Sequence, residues 1–200
     1  MSVDFMDPTD FTRRPMTWLQ LISDHKGTLS YSPTFGYELC VRRWREDREL
    51  DLSSWRGAGI GGDMVRPEPL TEFAALFSPM GFKESAFTPS YGMAETTLAA
   101  TFAPLGQGLL KHTIDMRRYE RESDAITATD LTPKADRRTF VACGVKLPKH
   151  DVEIRDENNS ILGEDRVGRI CLKGPSLSPG YFRNSQATEA AFSRDGWLDT

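Results

Sequence analysis

The sequence predicts an α/β fold in which part of a helix-covered, mostly parallel sheet is followed by a smaller antiparallel, β-rich subdomain. The first half alternates helical and strand patterns, which is typical of a parallel sheet covered by helices. Residues 140–200 instead contain two runs of alternating hydrophobicity, at 152–154 and 167–172, with a turn at 156–159 between them. This arrangement indicates an antiparallel hairpin.

In the first half we predict helices at residues 11–27 and 35–50 and a third that begins at Pro67. The third is the clearest, because Leu70, Phe73, Ala74 and Phe77 follow helical spacing. Strands are predicted at residues 28–32 and 52–60, and a further strand is predicted to end at Ala86-Phe87, where Pro89 and Ser90 break it. A helix then begins near Ala94, and a short helix is predicted at residues 187–192.

The organisation along the chain suggests three parts. Residues 1–105 form an α/β part, and residues 140–200 form the hairpin-rich subdomain. Between them, residues 106–139 are polar, with seven basic and six acidic residues and no convincing period. This stretch is either a long functional loop or an insertion.

Composition limits the class of protein. The 200-residue chain can bury a substantial core, and its formal net charge of −4 gives no basic field for nucleic acid or anionic membranes. No apolar run approaches the length of a transmembrane helix, and the acidic N-terminus is unlike a signal peptide. Cys40, Cys143 and Cys171 are odd in number and widely spaced, which favours a reducing, cytoplasmic location over a disulfide scaffold. The histidines and cysteines do not have the spacing of zinc ligands, so we predict no zinc site.

The stretch at residues 86–99 carries the main candidate site. Tyr91, Gly92 and Glu95 follow a strand end and precede a helix start, the place where open α/β sheets hold ligands. The ring could stack on a base, the glycine could admit a ligand to the backbone, and the carboxylate could hold a hard cation. The alternative interpretation is a buried tyrosine, a turn glycine and a solvated glutamate.

A second glycine-rich segment follows the strand at residues 52–60. Gly61 and Gly62 are adjacent and lead into Asp63. Adjacent glycines after a strand suggest that the backbone passes close to a ligand or to a neighbouring element. A plain turn is nearly as good an explanation.

Several separated segments, in the same order, resemble the adenylate-forming enzymes, ligases that activate carboxylates with ATP. PSYGMAE (89–95) resembles the adenine-and-magnesium motif, VGRICLKGPSLSPGYF (167–182) resembles the later glycine-rich hairpin motif, and DGWLDT (195–200) resembles the start of the ribose-binding motif. The similarity is greatest to the fatty acyl-AMP ligases, through FTRRPMTWLQLIS, SPTFGYELCVRR, LDLSSWRGAGIGGDMVRPEPL and FVACGVKLP.

The resemblance implies roles for individual residues. Glu95 becomes the catalytic Mg²⁺ ligand, and Tyr91, Gly92 and Met93 lie against the adenine of ATP. Gly61, Gly62 and Asp63 match the family's loop beside the base. Many family members carry threonine where this chain has Ala94, so phosphate contact from that position is not expected, and Thr96 is no motif-matched replacement. Gly174, Gly180 and Tyr181 are expected to shape a hairpin, and Asp199 is not expected to be catalytic.

Pro33, Thr34, Phe35 and Tyr37 lie in the segment that resembles the family's substrate-pocket wall, with ordinary helix-start packing as the alternative. The resemblance implies a fatty acid substrate and an acyl carrier protein as acceptor, because residues 106–139 lie where the subfamily carries an insertion that hinders transfer to free coenzyme A. A fatty acyl-CoA synthetase and a non-catalytic nucleotide-binding module are the alternatives. We expect the chain to be a middle piece of such an enzyme and inactive by itself.

Overall fold

The computed structural model describes residues 2–45 and 49–200. The chain forms two compact units whose segments interleave along the sequence. The first unit comprises Met1–Ser90, Ala103–Leu110 and Val141–Gly144, and the second comprises Tyr91–Phe102, Lys111–Phe140 and Val145–Thr200. These bounds differ from a linear division at residues 105 and 139, because short segments from the middle of the chain belong to each unit.

The described residues of the first unit form a parallel sheet and four α-helices. Its strands are β1 (Leu29–Tyr31), β2 (Gly57–Ile60) and β3 (Phe87–Tyr91), in the order β1-β2-β3, with Tyr31 opposite Gly59 and Ile60 opposite Pro89. Its helices are α1 (Pro8–Arg13), α2 (Met16–His25), α3 (Thr34–Arg43) and α4 (Pro67–Phe77). The predicted parallel, helix-covered sheet is therefore confirmed.

The second unit is rich in antiparallel strands. Its strands are β4 (Thr101–Phe102), β5 (Lys111–Asp115), β6 (Arg137–Val141), β7 (Val145–Lys146), β8 (Asp151–Arg155), β9 (Arg169–Lys173) and β10 (Leu198–Asp199). Strand β8 pairs antiparallel with β9 and β9 with β10, β4 pairs antiparallel with β7, and β5 pairs with β6. Its helices are α5 (Met116–Glu122) and α6 (Ser185–Ala191). The predicted hairpin and the short helix near residue 187 are confirmed.

The core of the first unit is aromatic. Tyr37 is fully buried, stacks on Trp55 at 6.1 Å between ring centroids, and meets Phe73 edge-on at 5.1 Å. Its hydroxyl donates to the carbonyl of Gly59 at 2.9 Å, so the buried polar atom has a partner. Helix α4 places Leu70, Phe73 and Phe77 in this core, as its spacing predicts. The second unit has a smaller core around Ala100, Leu172 and Leu198.

One predicted helix, at residues 11–27, is wrong in its continuity. It consists of α1 and α2, which are separated at Arg14 and Pro15. Arg14 precedes a proline, which disfavours the helical conformation, and its φ of −139° and ψ of 67° are not helical. The predicted stop is confirmed, since Lys26 is left-handed and Gly27 N–H donates to the carbonyl of Ile22.

The second predicted helix, at residues 35–50, is shorter than predicted. Helix α3 ends at Arg43, and Trp44 is extended. The end of this predicted helix, RRWREDRE (42–49), mixes both charge signs, a pattern that predicts a solvated face, and residues 46–48 of it lie outside the described residues. Strand β2 lies within residues 52–60, which are predicted to contain a short strand, and it begins only at Gly57 because Leu52 and Trp55 bury their side chains in a turn before it.

The strand predicted to end at Phe87 instead begins there. Strand β3 runs through Pro89 and Ser90, and the helix predicted from Ala94 to Ala100 is a single 3-10 turn at Ala94–Thr96. The proline needs no N–H of its own to stay in the ladder, because its carbonyl accepts from Ala103 N–H at 2.8 Å. Thr97 has a positive φ of 67°, which prevents the turn from continuing as a helix.

The polar stretch at residues 106–139 is not a structureless loop. It contains β5, α5 and most of β6. Asp115 caps α5 by accepting from the N–H of Arg117, pairs with the Arg117 guanidinium at 2.8 Å, and accepts from Thr132. Polar pairs therefore do the ordering here, which explains why hydrophobic periodicity does not detect these elements.

Three further observations concern the cysteines, clusters of metal-ligand side chains and membrane-spanning helices. All three cysteines are thiols without a disulfide. Across residues 2–45 and 49–200, no group of three or more His, Cys, Asp and Glu side chains could hold a metal ion. No helix in the same residues has both the length and the apolar character needed to cross a membrane.

Candidate functional site

Tyr91 and Glu95, the two principal predicted site residues, lie on one short segment at the carboxyl end of β3. The backbone carbonyl of Tyr91 accepts from Ala100 N–H at 2.8 Å, which closes the chain between them into a loop. The Tyr91 ring packs partly buried against the core of the second unit, and its hydroxyl lies 3.2 Å from Oγ1 of Thr200. Since that threonine hydroxyl donates to the carbonyl of Ile170, the tyrosine is the donor in the first bond.

Gly92 is crowded by the chain itself. A Cβ at this position would lie 2.1 Å from the carbonyl oxygen of Leu98 and 2.5 Å from the Cα of Ala99. Both of these atoms belong to backbone, which cannot move aside as a flexible side chain could. The loop alone therefore requires glycine here, and contact between Gly92 and a ligand stays a prediction.

Glu95 is half-buried, and its carboxylate is hydrogen-bonded. Tyr181 donates its phenolic hydrogen to Oε1 of Glu95 at 2.6 Å. This bond, together with the backbone N–H of Glu95, holds the pKa of the carboxyl below its usual range, so the group is ionised at neutral pH. The same bond raises the pKa of Tyr181. An ionised carboxylate is what binding of a hard cation requires.

The residues around Glu95 complete the turn and do not offer free hydroxyls. Thr96 is buried, and its Oγ1 donates to the carbonyl of Met93 and accepts from the N–H of the same residue. This hydroxyl is used inside the turn, in agreement with the expectation that Thr96 does not replace a threonine at position 94. Met93 itself packs partly buried against the core of the second unit.

A clasp of three hydrogen bonds joins the turn to the segment Ser176–Tyr181, and local sequence patterns did not predict it. Besides the bond from Tyr181 to Glu95, Ser178 N–H donates to the backbone carbonyl of Glu95 at 2.7 Å. Thr97 Oγ1 donates to the carbonyl of Ser176 at 2.9 Å. Tyr181 was expected only to shape a hairpin; the glycine-rich motif that contains it was the one available signal.

Asp199, which was not expected to be catalytic, is engaged in structure. Its carboxylate forms an ion pair with the guanidinium of Arg169 and lies within reach of the Cys171 thiol. Both partners come from β9, which pairs with β10.

In the first unit, the predicted loop beside the base follows β2 directly. A Cβ on Gly61 would lie 2.6 Å from Oγ of Ser90, whereas Gly62 has open space around it and a φ of +79°. Asp63 is exposed and accepts from the N–H of Met64 at 2.7 Å. The left-handed conformation of Gly62 and the Asp63 turn describe a tight bend whose backbone faces open space.

The predicted acyl-pocket segment begins α3, and its side chains divide between surface and core. Phe35 is 46% exposed, whereas Thr34 and Tyr37 are buried. Thr34 Oγ1 donates to the carbonyl of Met64 at 3.3 Å, and Pro33 precedes the helix with an extended backbone. Burial raises the pKa of Tyr37 well above its usual value, so its phenol stays neutral. Phe35 is the member of this segment that presents an apolar ring to the outside.

The sequence profile of the AMP-binding enzyme family matches residues 1–182. The chain belongs to the AMP-binding enzyme family. Among curated AMP-binding relatives, it is 48% identical to a Caulobacter vibrioides protein provisionally described as an acyl-CoA synthetase, with 100% of this chain and 35% of that protein covered. It is 34% identical to the medium-chain-fatty-acid–[acyl-carrier-protein] ligase JamA of Moorena producens, over 94% of this chain and 32% of JamA.

A solved structure from a study of fatty acyl-adenylate ligases of E. coli and L. pneumophila has a TM-score of 0.95 to this AMP-binding chain. It is 42% identical and covers 100% of this chain and 36% of its own. The predicted resemblance and fold are thus confirmed. The chain spans about a third of the length of the proteins that it matches.

The donors of this AMP-binding chain fit a nucleotide-bound Mg²⁺ better than a metal held by protein alone. Mg²⁺ is commonly held by one or two carboxylates together with substrate phosphates and water. Glu95 supplies one ionised carboxylate, and within the part of the chain that the structure describes no side chain donates a hydrogen bond to its Oε2. A single open carboxylate oxygen is consistent with the absence of a metal-binding cluster in the described residues.

Proposed function

We propose that the intact enzyme containing this chain activates a fatty acid with ATP and then transfers the acyl group to the phosphopantetheine thiol of a carrier protein. One observation carries the proposal. The carboxyl end of the parallel strand β3 leads into a turn that presents the Tyr91 ring and the ionised Glu95 carboxylate. This edge is where open α/β sheets bind nucleotides.

In the first step, a carboxylate oxygen of the fatty acid attacks the α-phosphorus of ATP. A bond forms from that oxygen to phosphorus, the bond from phosphorus to the bridging oxygen breaks, and pyrophosphate leaves. All the reacting groups are anionic, so catalysis depends on positioning and charge neutralisation. Bound Mg²⁺ would supply that neutralisation. Glu95 would hold the ion through its open oxygen.

The remaining candidate residues take the roles that the family resemblance gives them. We assign Tyr91 to the adenine ring, with Gly92 and Met93 as the backbone next to it. Gly61, Gly62 and Asp63 are assigned to the loop beside the base, supported by the open backbone at Gly62. Pro33, Thr34 and Phe35 are assigned to the acyl pocket, with the exposed Phe35 ring as the contact. Tyr37 then supports this wall from the core.

The acceptor of the acyl group is the finer part of the proposal. JamA is named for transfer to an acyl carrier protein, whereas the Caulobacter protein is described as an acyl-CoA synthetase. Mass-spectrometric product analysis should therefore compare free coenzyme A with a phosphopantetheinylated carrier protein, using ATP and fatty acids of several lengths. We expect the carrier protein acylated on its phosphopantetheine thiol to be the main product. Efficient formation of acyl-CoA would instead favour the fatty acyl-CoA synthetase, and absence of any adenylate would favour a non-catalytic nucleotide-binding module.

Deletion of residues 106–139 from the intact enzyme tests the proposed insertion directly. If this stretch hinders transfer to coenzyme A, its removal raises activity with free coenzyme A. Because β5, α5 and most of β6 lie inside it, thermal unfolding must first show that the shortened enzyme folds. A folded variant with no gain in acyl-CoA formation argues against the role.

The three thiols support a reducing location, for which we propose the cytoplasm.

The substitution Glu95→Gln tests the metal assignment. It preserves shape but removes the charge that would bind Mg²⁺, so we expect adenylate formation to fall on the order of 100-fold, as when one group that stabilises transition-state charge is removed. Pyrophosphate release measures the rate. The matched control is Glu164→Gln, since Glu164 is exposed and lies in a loop. Equal rates for wild type and Glu95→Gln would contradict the assignment.

A further inference from the structure

We propose that Tyr181 is the positioning residue for the metal ligand: it holds Oε1 of Glu95 so that Oε2 faces the nucleotide-bound Mg²⁺. The proposal rests on the proposed function, which makes Glu95 that ligand. The observation behind it is the 2.6 Å bond from the Tyr181 hydroxyl to one carboxylate oxygen only. In the described residues no side chain donates a hydrogen bond to the other oxygen.

Tyr181 is itself fixed at its base by α6. Its backbone N–H donates to Thr188 Oγ1 at 2.9 Å, and its ring meets Phe192 edge-on at 6.1 Å between centroids. Gly180, with a φ of +139°, allows a close approach in which an added Cβ would lie 2.5 Å from Thr188 Cγ2. The backbone and the ring of Tyr181 therefore have contacts that do not depend on Glu95.

The clasp fixes the other end of the glutamate. Ser178 N–H holds the backbone carbonyl of Glu95 at 2.7 Å, and Thr97 holds the carbonyl of Ser176. With the backbone held, the remaining freedom of the ligand lies in its side-chain torsions, whose ordering costs entropy when a metal binds. The Tyr181 hydrogen bond removes that freedom beforehand. Groups that orient metal ligands in this way commonly change metal affinity by about 10- to 100-fold.

The test compares Tyr181→Phe with wild type in the intact enzyme. We expect the free Mg²⁺ concentration for half-maximal pyrophosphate release to rise about tenfold. At saturating Mg²⁺ the rate constant stays within about twofold of wild type, because the ligand itself remains. As a readout besides activity, electron paramagnetic resonance measures the affinity for Mn²⁺ in the presence of a non-hydrolysable ATP analogue. We expect that affinity to weaken about tenfold as well.

Tyr119→Phe is the matched control. It removes the same hydroxyl from a tyrosine that stacks on Phe140 and whose oxygen has no hydrogen-bond partner in the described residues. Both Mn²⁺ affinity and Mg²⁺ dependence should remain at wild-type values in this variant. Thermal unfolding of both variants reports whether either substitution damages the fold.

Two results would overturn the positioning role. One is an unchanged Mg²⁺ midpoint and Mn²⁺ affinity in Tyr181→Phe. The other is a fall in rate that saturating Mg²⁺ does not restore while Mn²⁺ affinity is unchanged, which would assign the bond to the fold alone. If Glu95→Gln also leaves Mn²⁺ affinity unchanged, the metal assignment itself fails. If Glu95→Gln weakens Mn²⁺ binding and Tyr181→Phe does not, Glu95 remains the metal ligand and Tyr181 is not its positioning residue.

Discussion

Gly92 illustrates at the residue scale how the backbone alone can fix a residue type. The carbonyl of Leu98 and the Cα of Ala99 occupy the space of a side chain, at 2.1 and 2.5 Å from an added Cβ. The sequence predicted a glycine that admits a ligand. The structure provides a reason for glycine that needs no ligand. That reason is the close approach of the Leu98 backbone, six residues further along the chain.

We predict that Gly92→Ala destabilises the protein by about 1–3 kcal/mol, the usual cost of overpacking a closed site. Denaturant unfolding measures the change. Gly163→Ala is the control, because an added Cβ there meets no atom within 4 Å and should change stability by less than about 0.5 kcal/mol. If Gly92→Ala is as stable as the control, backbone crowding is not the reason for glycine at this position.

The bond between Tyr181 and Glu95 could not be predicted by reading along the chain. Its partners are 86 positions apart, and neither residue belongs to a periodic pattern. Family resemblance identified each motif separately, but only the fold shows that one motif contacts the other. By contrast, the position of Tyr91 and Glu95 near a strand end was predictable, because both follow within a few residues of the short apolar run Ala86-Phe87.

At the scale of elements, helix α4 and the helix predicted at residues 11–27 show when local pattern suffices. In α4 the apolar spacing, the initial Pro67 and the left-handed Gly81 all agree, and the predicted helix is confirmed. At residues 11–27 the apolar spacing, with Pro15 compatible with a first helical turn, predicts one helix, yet the restriction that Pro15 places on Arg14 divides it. A local steric rule prevailed over periodicity.

Helix α5 depends on Asp115, which gives a prediction about pH. Arg117, through its side chain and then its N–H, lowers the pKa of this carboxyl, and Thr132 adds a further bond. Because the folded pKa lies below the unfolded value of about 3.9, the ionised carboxylate stabilises the fold above about pH 4. That stability is lost as the pH falls through the folded pKa.

We therefore expect Asp115→Asn to be less stable than wild type at pH 7, with a difference that shrinks as the pH falls below about 4. Thermal unfolding across this range measures it. Asparagine can still cap the helix, so Asp115→Ala should be less stable than Asp115→Asn. Asp130→Asn, at an exposed loop position, should follow wild type throughout. A pH-independent difference for Asp115→Asn would refute the ion-pair explanation.

At the scale of the whole molecule, residues 2–45 and 49–200 form two cores of different character. The first unit buries an aromatic cluster around Tyr37, and the second buries a small aliphatic group around Leu172. The sequence predicted both classes of structure, but it assigned them to continuous stretches. Residues 91–102 belong to the second unit although they come directly after the strands and helices of the first along the chain. Which unit they join depends on long-range pairing, which sequence patterns do not show.

The thiols provide a prediction for the molecule as a whole. Burial raises the pKa of Cys40 to about 12 and also raises that of Cys143, while Cys171 is buried. Since the thiolate is the reactive form, Cys40 and Cys171 should react slowly with Ellman's reagent at neutral pH, and half-buried Cys143 should react first. Stopped-flow absorbance of wild type and Cys143→Ser measures this. Retention of the fastest phase in Cys143→Ser would disprove the ranking.

Strand β1 stands at the end of the strand order, with the side chains of Leu29 and Tyr31 largely uncovered. An edge strand with exposed apolar side chains can accept another polypeptide as a neighbouring strand, because within the described residues only one of its sides pairs with a strand. We therefore expect the substitution Leu29→Lys to reduce self-association of this chain at high concentration. A positive charge at this edge would disfavour strand addition without disturbing the buried aromatic cluster.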